Sequence, residues 1–363
     1  MKWFGRRAGR EESRPALAGA SVLAWPPSYE AQVRDAYARN PVAQRAVRLV
    51  AEAVGSAPVV ASDEGLAALV GSRAGGVALG EAVTTQLLLH GNAFVQVLRD
   101  PDGGAAGLYP LRPERVSVVA DAGGWPAAYL YKVGAGVTRL GADPVRPDVI
   151  HLKAFHPLDD HYGLGALGAA AAAVSLHNQA TAWNAGLLAN AARPSGALVY
   201  DPGDGSVLSP DQFRRLQAEM EAGFAGAERA GRPMLLEGGL KWQALSLTPA
   251  DMDFVALKEA AARDIALAFG VPPMLLGLPG DSTHANYREA NRALWRLTAL
   301  PLATTVLDGL AQGLRGWFEG ATLAVDLNKV PALSEDRERL WGMVAGADFL
   351  SADEKRAMLG VVA

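Results

Sequence analysis

Residues 270–292 read GVPPMLLGLPGDSTHANYREANR, and this Gly- and Pro-rich stretch separates two segments with helical patterns. After it, a helical pattern of about 25 residues continues to Trp317. Before it, apolar residues recur at near-helical spacing, namely Phe254, Leu257, Ala261 and Ile265. A loop of this length is too long for a tight turn, and such loops are usually functional or disordered. We therefore expect two structural helices joined by a functional loop, Leu276–Tyr287.

The composition is that of a globular protein, with 363 residues of which 50% are hydrophobic and 20% are charged. This length is enough for two or three domains. The absence of cysteine excludes disulfides and thiolate metal sites. No apolar run approaches the roughly 18 residues that span a membrane, so we expect no membrane partner and a cytoplasmic product. A net charge of −4 argues against a tight clamp on nucleic acid, so any contact with DNA should be transient.

The first part of the chain changes its periodicity. Residues 1–24 combine several arginines with Gly, Ala and Pro, and we expect a mobile basic arm. In the next segment, 25–160, a helix is predicted over Asn40–Val54, with Asn40 as its cap and an apolar stripe on one face. From Asn92 onward the period is two, with Gly- and Asp-rich turns between strands. The pattern predicts an antiparallel meander packed on the preceding helices.

The middle of the chain reads as helix, module, helix. The pattern predicts two long helices, over 161–192 and 249–271. The first ends before Pro194 and Gly196, and the second begins at Pro249. Between them, 193–248 predicts a small α/β module. Its helix should begin at the capping box Ser209–Gln212, and a hairpin is expected within Pro233–Leu247. Two rods with a module at their far end are the simplest arrangement of these pieces.

The last part returns to strand before it closes in short helices. Residues 272–317 hold the loop and the long helix, in which Pro301 predicts a kink near Thr298 because a carbonyl there loses its donor. Residues 318–330 predict one strand, and 331–363 predict two short helices. The fold class is therefore α+β, without an internal repeat.

One glycine pattern allows an alternative function. Gly163–Gly168 fits G-x-G-x-x-G at the start of a helix, as in dinucleotide sites where the backbone approaches a pyrophosphate. However, His156–Tyr162 separates the strand from the first glycine, and no Asp or Glu lies near residue 185 to hold a ribose. Close helix packing explains the glycines equally well. The alternative left open is a nucleotide-binding enzyme that uses this turn.

Two other groups lack the geometry of a catalytic or metal site. The five-residue spacing of His151, His156 and His161 fits neither helical nor strand convergence, so we expect no metal. Ser282 follows a Pro-rich loop instead of a strand-to-helix elbow, and Ser282 or Thr283 is better interpreted as a helix cap. We therefore expect no catalytic residues, no cofactor and no enzyme activity.

Ordered motifs over residues 40–330 carry a family resemblance. Besides residues 270–292, they are Asn40–Val54, Leu88–Val95, Leu108–Val116, Asp148–Leu152, Tyr162–Gly165, Asn190–Gly196, Glu237–Trp242 and Pro249–Phe254. In this order they resemble the portal proteins of tailed bacteriophages and related gene transfer agents. The many motifs in one order make the resemblance specific.

The resemblance implies a portal fold and names its parts. These are an α/β wing (25–160, with a returning strand in 318–330), a two-helix stem (161–192 and 249–271), a clip (193–248), a tunnel loop with a long kinked tunnel helix (272–317) and a short helical crown (331–363). It implies a ring oligomer, typically of twelve subunits, made in the host bacterial cytoplasm and placed at one capsid vertex of the virion. The implied partners are double-stranded DNA passing through the channel, terminase, the head–tail adaptor and the major capsid protein.

Three sets of site residues follow from the resemblance and the residue types. The tunnel loop should face DNA through polar residues that bind phosphate only transiently, namely Asp281, Ser282, Thr283, His284 and Asn286. The clip helix should bind partners through its charged face, namely Arg214, Arg215, Glu219 and Glu221. The second stem helix should pack through Leu257 and Ile265, with Glu259 and Arg263 paired or bridging to neighbours.

Overall fold

A computed structural model of the chain describes residues 26, 28–189, 196–200, 208–224, 240–244, 254–278 and 284–360. The expected N-terminal arm, 1–24, lies outside the described residues. The chain divides into two compact units, one of Met1–Ala172 with Arg263–Ala363 and the other of Ala173–Ala262. Helices and antiparallel sheets are both present, so the predicted α+β class is confirmed. No helix in the described ranges combines the length and apolar character needed to cross a lipid bilayer.

The helices of the described residues are α1 (Tyr29–Val33), α2 (Pro41–Gly55), α3 (Glu64–Val70), α4 (Leu79–His90), α5 (Ala166–Ala189), α6 (Pro210–Phe224), α7 (Phe254–Ala268), α8 (His284–Leu294), α9 (Leu300–Leu314), α10 (Ser334–Ala345) and α11 (Ala352–Leu359). The strands are β1 (Val59–Ala61), β2 (Arg73–Ala74), β3 (Val77–Ala78), β4 (Asn92–Arg99), β5 (Ala105–Leu111), β6 (Val116–Ala120), β7 (Pro126–Val133), β8 (Gly136–Gly141), β9 (Val149–Lys153), β10 (Gly196–Tyr200), β11 (Leu240–Ala244) and β12 (Leu323–Val325). Two π-helical turns cover Arg34–Ala38 and Trp295–Ala299.

Strand β4 is the centre of the first unit. It lies between β5 and β9 in a three-stranded antiparallel sheet, while β6, β7 and β8 form a second sheet of the same kind. Alternate residues of β4 point to opposite faces. Val95 and Val97 pack in a core with residues of α4 and α9, and Phe94 packs in a second core with Tyr129 and Tyr162. Both faces of β4 are therefore buried, which explains its nearly continuous apolar run.

The predicted meander is wrong in two places: β5 and β6 belong to different sheets, and β9 joins the first of these sheets. This strand pairs with β4, so that His151 lies opposite Phe94, and it does not continue from β8. Three of its residues, Val149, Ile150 and Leu152, are buried and point to both faces. A strand that is apolar on both faces needs a place between two layers, and the edge beside β4 provides one. Sequence order alone favours pairing between consecutive strands, so it did not predict that β9 pairs with β4.

Two other predicted elements are present as expected. In α2, the Oδ1 atom of Asn40 accepts hydrogen bonds from the backbone N–H groups of Val42 and Ala43 at 3.1 and 3.0 Å, and Pro41 occupies the first turn. Such a cap satisfies N–H groups that have no partner within the helix. The strand expected within 318–330 is β12, which pairs antiparallel with β1.

The long helix after the loop is interrupted where Pro301 predicted it. Between α8 and α9 the chain makes a π-helical turn, in which the backbone N–H of Leu300 donates to the carbonyl of Trp295. Pro301 then lies in the first turn of α9, where its missing N–H is tolerated. The sequence located the break, but its form is a widened turn. Beyond it, α9 buries Val306 and Leu310 in the main core.

The second unit contains the expected module helix. Ser209 and Gln212 form the predicted capping box, with the Ser209 N–H donating to Gln212 Oε1 at 2.9 Å and the Gln212 N–H donating to Ser209 Oγ at 3.3 Å. Of the predicted hairpin, only the second strand is described, as β11, and it pairs antiparallel with β10. Its expected partner, Pro233–Glu237, lies outside the described residues.

Candidate functional site

The end of α7 is fastened to the π-helical turn. Ile265 is completely buried, whereas Leu257 and Glu259 are half-buried and Arg263 is exposed. After α7, Gly270 adopts a left-handed conformation with φ +65°, and its carbonyl accepts a hydrogen bond of 2.6 Å from Thr298 Oγ1. A Cβ atom at position 270 would lie 2.7 Å from that hydroxyl oxygen. The glycine therefore suits both the backbone conformation and the close contact.

The start of α5 is held by a buried asparagine. Asn92 is 0% exposed, and its side chain meets the backbone of Gly163 with Oδ1 accepting from N–H at 2.8 Å and Nδ2 donating to the carbonyl at 3.2 Å. A Cβ atom at Gly163 would lie 2.1 Å from the Gly91 oxygen, and one at Gly165 would lie 2.9 Å from the Gly91 nitrogen. Glycine at these positions allows two backbone segments to touch. Close backbone packing therefore explains Gly163 and Gly165 in the glycine pattern.

Two histidines complete this buried contact, which we call the Asn92 junction (His90, Asn92, His151 and Gly163). Asn92 Nδ2 lies 3.1 Å from His90 Nδ1, so that ring nitrogen must accept; His151 Nε2 lies 3.0 Å from Asn92 Oδ1, so it must donate. Phe94 stacks on the His151 ring at 4.2 Å, and Tyr29 meets His90 edge-on at 4.7 Å. The bonding pattern requires a neutral His90, whose Nδ1 accepts, and a proton on Nε2 of His151.

The electrostatics of the Asn92 junction agree with neutral imidazoles. Burial lowers the pKa of His90 to about 4. Burial lowers the pKa of His151 to about 3, with smaller effects from Lys153, His90 and His161. Among the described residues, no three His, Asp or Glu side chains converge as metal ligands would. The junction is thus a structural clamp between β4, β9 and the segment that leads into α5.

A second polar contact ties α8 to α10, and we call it the Arg292 network (Arg288, Arg292, Glu335 and Asp336). Arg288 Nη1 lies 3.0 Å from Glu335 Oε1, and Arg292 Nη2 donates to Glu335 Oε2. Arg292 Nε lies 3.7 Å from Asp336 Oδ2. The Arg292 side chain is only 12% exposed, whereas that of Glu335 is 50% exposed. The two arginines nearest the loop are therefore neutralised by carboxylates of α10.

Some of the predicted tunnel-loop residues lie outside the described residues, and the others lie on α8. Asp281, Ser282 and Thr283 lie outside the described residues. His284 is the first residue of α8, and Asn286 is exposed on that helix. The loop expected to reach Tyr287 is therefore shorter, because residues 284–294 contain no Gly or Pro and form a helix.

The predicted clip residues lie together on α6. Arg214 is exposed, with its Nη2 2.5 Å from Asp211 Oδ1, and Arg215 is also exposed. Glu219 and Glu221 belong to the same helix, with side chains outside the described set. The helix face thus carries an internal ion pair, and its role in binding remains a prediction.

Sequence reasoning missed the Asn92 junction and the Arg292 network. Asn92 and Gly163 are 71 residues apart, and Arg292 and Glu335 are 43 residues apart. Local periodicity carries no signal at such separations. The only available hint was that both Leu88–Val95 and Tyr162–Gly165 stood out as motifs.

Comparisons with known proteins agree over most of the chain. The family model for phage portal protein matches residues 41–360. An uncharacterized protein of Rickettsia bellii is 40% identical, with 90% of this chain and 88% of the relative covered. The probable portal protein of Streptomyces phage phiC31 is 27% identical, with 75% of this chain and 60% of the relative covered.

Solved structures extend the likeness to three dimensions. A chain from the neck of a native gene transfer agent particle, computed with C12 symmetry, is 47% identical with a TM-score of 0.71, covering 95% of this chain and 96% of that chain. An HK97-family phage portal protein from Corynebacterium diphtheriae is 18% identical with a TM-score of 0.58, covering 84% of this chain and 98% of that chain. The second likeness concerns the fold alone.

Proposed function

The chain belongs to the phage portal protein family, and we propose that copies of it assemble into the ring-shaped DNA channel at one capsid vertex. The observation that carries this proposal is the 47% identity, over 95% of the chain, to a subunit of a gene transfer agent neck. That neck was computed with C12 symmetry, so we propose a ring of twelve subunits. In the virion the ring would serve DNA packaging, head–tail joining and DNA ejection.

The proposed partners follow from this position. Double-stranded DNA would pass through the channel, a terminase would drive it inward, and a head–tail adaptor and the major capsid protein would contact the outside of the ring. The subunits would be made in the host bacterial cytoplasm before they join the particle. The 47% identity to a gene transfer agent chain exceeds the 27% identity to the phiC31 portal, which favours a gene transfer agent as the particle.

The charge distribution supports a channel through which DNA slides. The chain has a net charge of −4, and Glu335 and Asp336 neutralise the arginines Arg288 and Arg292 next to the loop. Tight DNA binding needs unpaired cations that release counterions from phosphate. We therefore propose that Asp281, Ser282, Thr283, His284 and Asn286 touch passing DNA through weak polar contacts.

The stem and clip roles are proposals of the same kind. Leu257, Glu259, Arg263 and Ile265 would contribute to the stem, and Arg214, Arg215, Glu219 and Glu221 would bind terminase or adaptor. Because Ile265 is already buried within a single chain, Ile265→Asp would prevent the subunit itself from folding. Val255, which is 69% exposed on the same helix, is the better position to test packing between subunits.

Nucleotide binding by Gly163–Gly168 has no support in the geometry. Gly163 and Gly165 are in contact with the backbone around Gly91, and Asn92 occupies the polar groups of Gly163. A pyrophosphate would need those same backbone groups. We propose that Gly163 and Gly165 have a structural role and that the protein has no enzyme activity.

Electron microscopy of the purified protein tests the proposal. We expect rings with twelvefold symmetry for the natural chain and only folded monomers for Val255→Asp, with Asp264→Asn on the same helix as a control that keeps rings. A natural chain that stays monomeric at every concentration would refute the portal assignment.

DNA contact is tested separately in assembled particles. Ser282→Arg combined with Asn286→Arg should slow packaging and leave rings intact, because added cations hold phosphate. The matched pair Ser282→Gln with Asn286→Gln adds bulk without charge and should package at the normal rate. Equal packaging rates for both pairs would exclude a DNA-facing role for the loop.

A further inference from the structure

A loop between β9 and α5 holds two large apolar side chains in solvent. In this loop, which we call the Phe155 loop (residues 154–160), Phe155 is 86% exposed and Leu158 is 85% exposed. Such a pair on one short loop is unusual for a surface that stays in water. These two side chains indicate an interface.

Hydrogen bonds fix the shape of the Phe155 loop. The Ala154 N–H donates to the Gly91 carbonyl at 2.8 Å, and the Leu158 N–H donates to His156 Nδ1 at 3.0 Å. Asp159 Oδ1 accepts from the N–H groups of His161 and Tyr162 at 2.8 and 2.9 Å. The backbone is thus bonded at both ends of the loop, while Phe155 and Leu158 stay exposed. It presents a preformed apolar projection.

The same unit contains an apolar cavity that opens at the surface. We call it the wing cavity; its volume is about 100 Å³, and its deeper lining comes from Val54, Val70, Ala303, Val306, Leu307 and Leu310. At its rim Val59 is 40% exposed and Arg73 is exposed. The cavity therefore offers a concave apolar surface with one guanidinium at its edge.

Charge at the two surfaces is complementary. Asp160 is an exposed carboxylate in the Phe155 loop, and Arg73 is an exposed guanidinium at the wing cavity. Within the described part of the chain, Arg73 donates only to the Gly76 carbonyl, and neither charge belongs to an ion pair. A closed ring of identical copies repeats one head-to-tail contact, so each copy must carry two different surfaces that fit each other. The Phe155 loop and the wing cavity meet that requirement.

We propose that, in the ring, the Phe155 loop of each subunit docks on the wing cavity of the next subunit, with Asp160 facing Arg73. This inference rests on the proposed function, because it needs a ring of identical copies. Phe155 and Leu158 would then lose their contact with water, and the contact would run once around the ring.

Cysteine cross-linking tests the contact directly, because the natural chain has no cysteine. The double variant Phe155→Cys/Val59→Cys, treated with a short bismaleimide, should give a ladder of covalent oligomers up to the full ring. Each single variant should stay at the monomer band, since only one side of the contact is then labelled. Intact rings without a ladder would overturn the inference and leave the portal assignment standing, whereas a chain that forms no rings would remove both.

Charge reversal provides an independent readout. In the double-cysteine background, Asp160→Arg should abolish the ladder, and adding Arg73→Asp should restore it. As a control, Arg139→Asp on β8 changes charge on the same unit and should leave the ladder unchanged. A ladder that ignores all three reversals, or cross-links from position 155 to an adaptor or capsid protein in whole particles, would show that the loop docks elsewhere.

Discussion

The Asn92 junction and the Arg292 network both join segments that are distant in sequence, but they do so with opposite physics. The junction uses neutral groups with Asn92 completely buried, whereas the network uses charges with Glu335 half exposed. Buried hydrogen bonds are not screened by salt, but loss of one partner leaves a buried polar group without a hydrogen bond, which is destabilising. Exposed ion pairs contribute little and weaken in salt. The first contact therefore fixes the entry to α5, and the second ties α8 to α10 through charges that salt can weaken.

The largest loss is expected from Gly163→Ala. The new Cβ would lie 2.1 Å from the Gly91 oxygen and 2.6 Å from the Ala154 oxygen, and these are backbone atoms that cannot move alone. We expect destabilisation above about 3 kcal/mol in urea unfolding, or no folded protein. The control Gly168→Ala, whose nearest neighbour is Leu164 Cδ1 at 3.7 Å, should keep or slightly raise stability. A fully stable Gly163→Ala would mean that the two backbone segments are not in contact.

The next loss is expected from Asn92→Leu, which keeps the size of the side chain and removes its polar groups. The Gly163 N–H and the His151 Nε2–H would each lose an acceptor inside the protein. We expect a decrease of about 2–4 kcal/mol in the free energy of unfolding, insensitive to added NaCl. A salt-dependent decrease would contradict the buried character of the junction.

Acid should weaken the junction by a comparable amount. The folded pKa of His90 is lowered to about 4, so its stabilising contribution is complete above the unfolded pKa of about 6.5 and is lost as pH falls towards 4. We expect a loss on the order of 3 kcal/mol for His90 across this window, measured by urea unfolding at fixed ionic strength. In His90→Gln this loss should shrink. An unchanged pH profile in that variant would assign the acid sensitivity to other groups.

The smallest effect is expected in the Arg292 network. Glu335→Gln removes the carboxylate that both Arg288 and Arg292 contact, and we expect a loss of about 1 kcal/mol at low salt. The loss should fade in 1 M NaCl because the charges are then screened. Glu338→Gln, an exposed position on the same helix without an ion pair in the described residues, should change stability by less than about 0.5 kcal/mol. Equal effects of both variants would show that the network adds nothing.

The sequence was a good guide where the physics is local. The caps at Asn40 and Ser209 were predicted because a capping side chain bonds to an N–H two or three residues away. Pro301 located the break in the long helix because its missing N–H affects its own turn. In each case the deciding atoms lie within one turn of chain.

Long-range pairing was beyond the same reasoning. The place of β9 beside β4 depends on burial of both strand faces, and that burial exists only after the layers have assembled. The Arg292 network needs α10 to return beside α8, which charge patterns along one helix do not reveal. For the candidate site, the polar residue types of the loop could be predicted from the sequence, but the start of α8 at His284 could not.

The π-helical turn also sets the angular phase of the long helix. A residue advances an α-helix by about 100°, so one extra residue in a turn rotates everything before it by that amount relative to everything after it. Here the turn at Trp295–Ala299 lets α9 keep Leu310 in the core while α8 aims Arg292 at α10. A one-residue deletion in this turn would leave a continuous helix of nearly the same length. It would also rotate α8, which carries the loop, by about 100° around the helix axis relative to α9. The π-helical turn therefore determines the direction in which the loop leaves the helix.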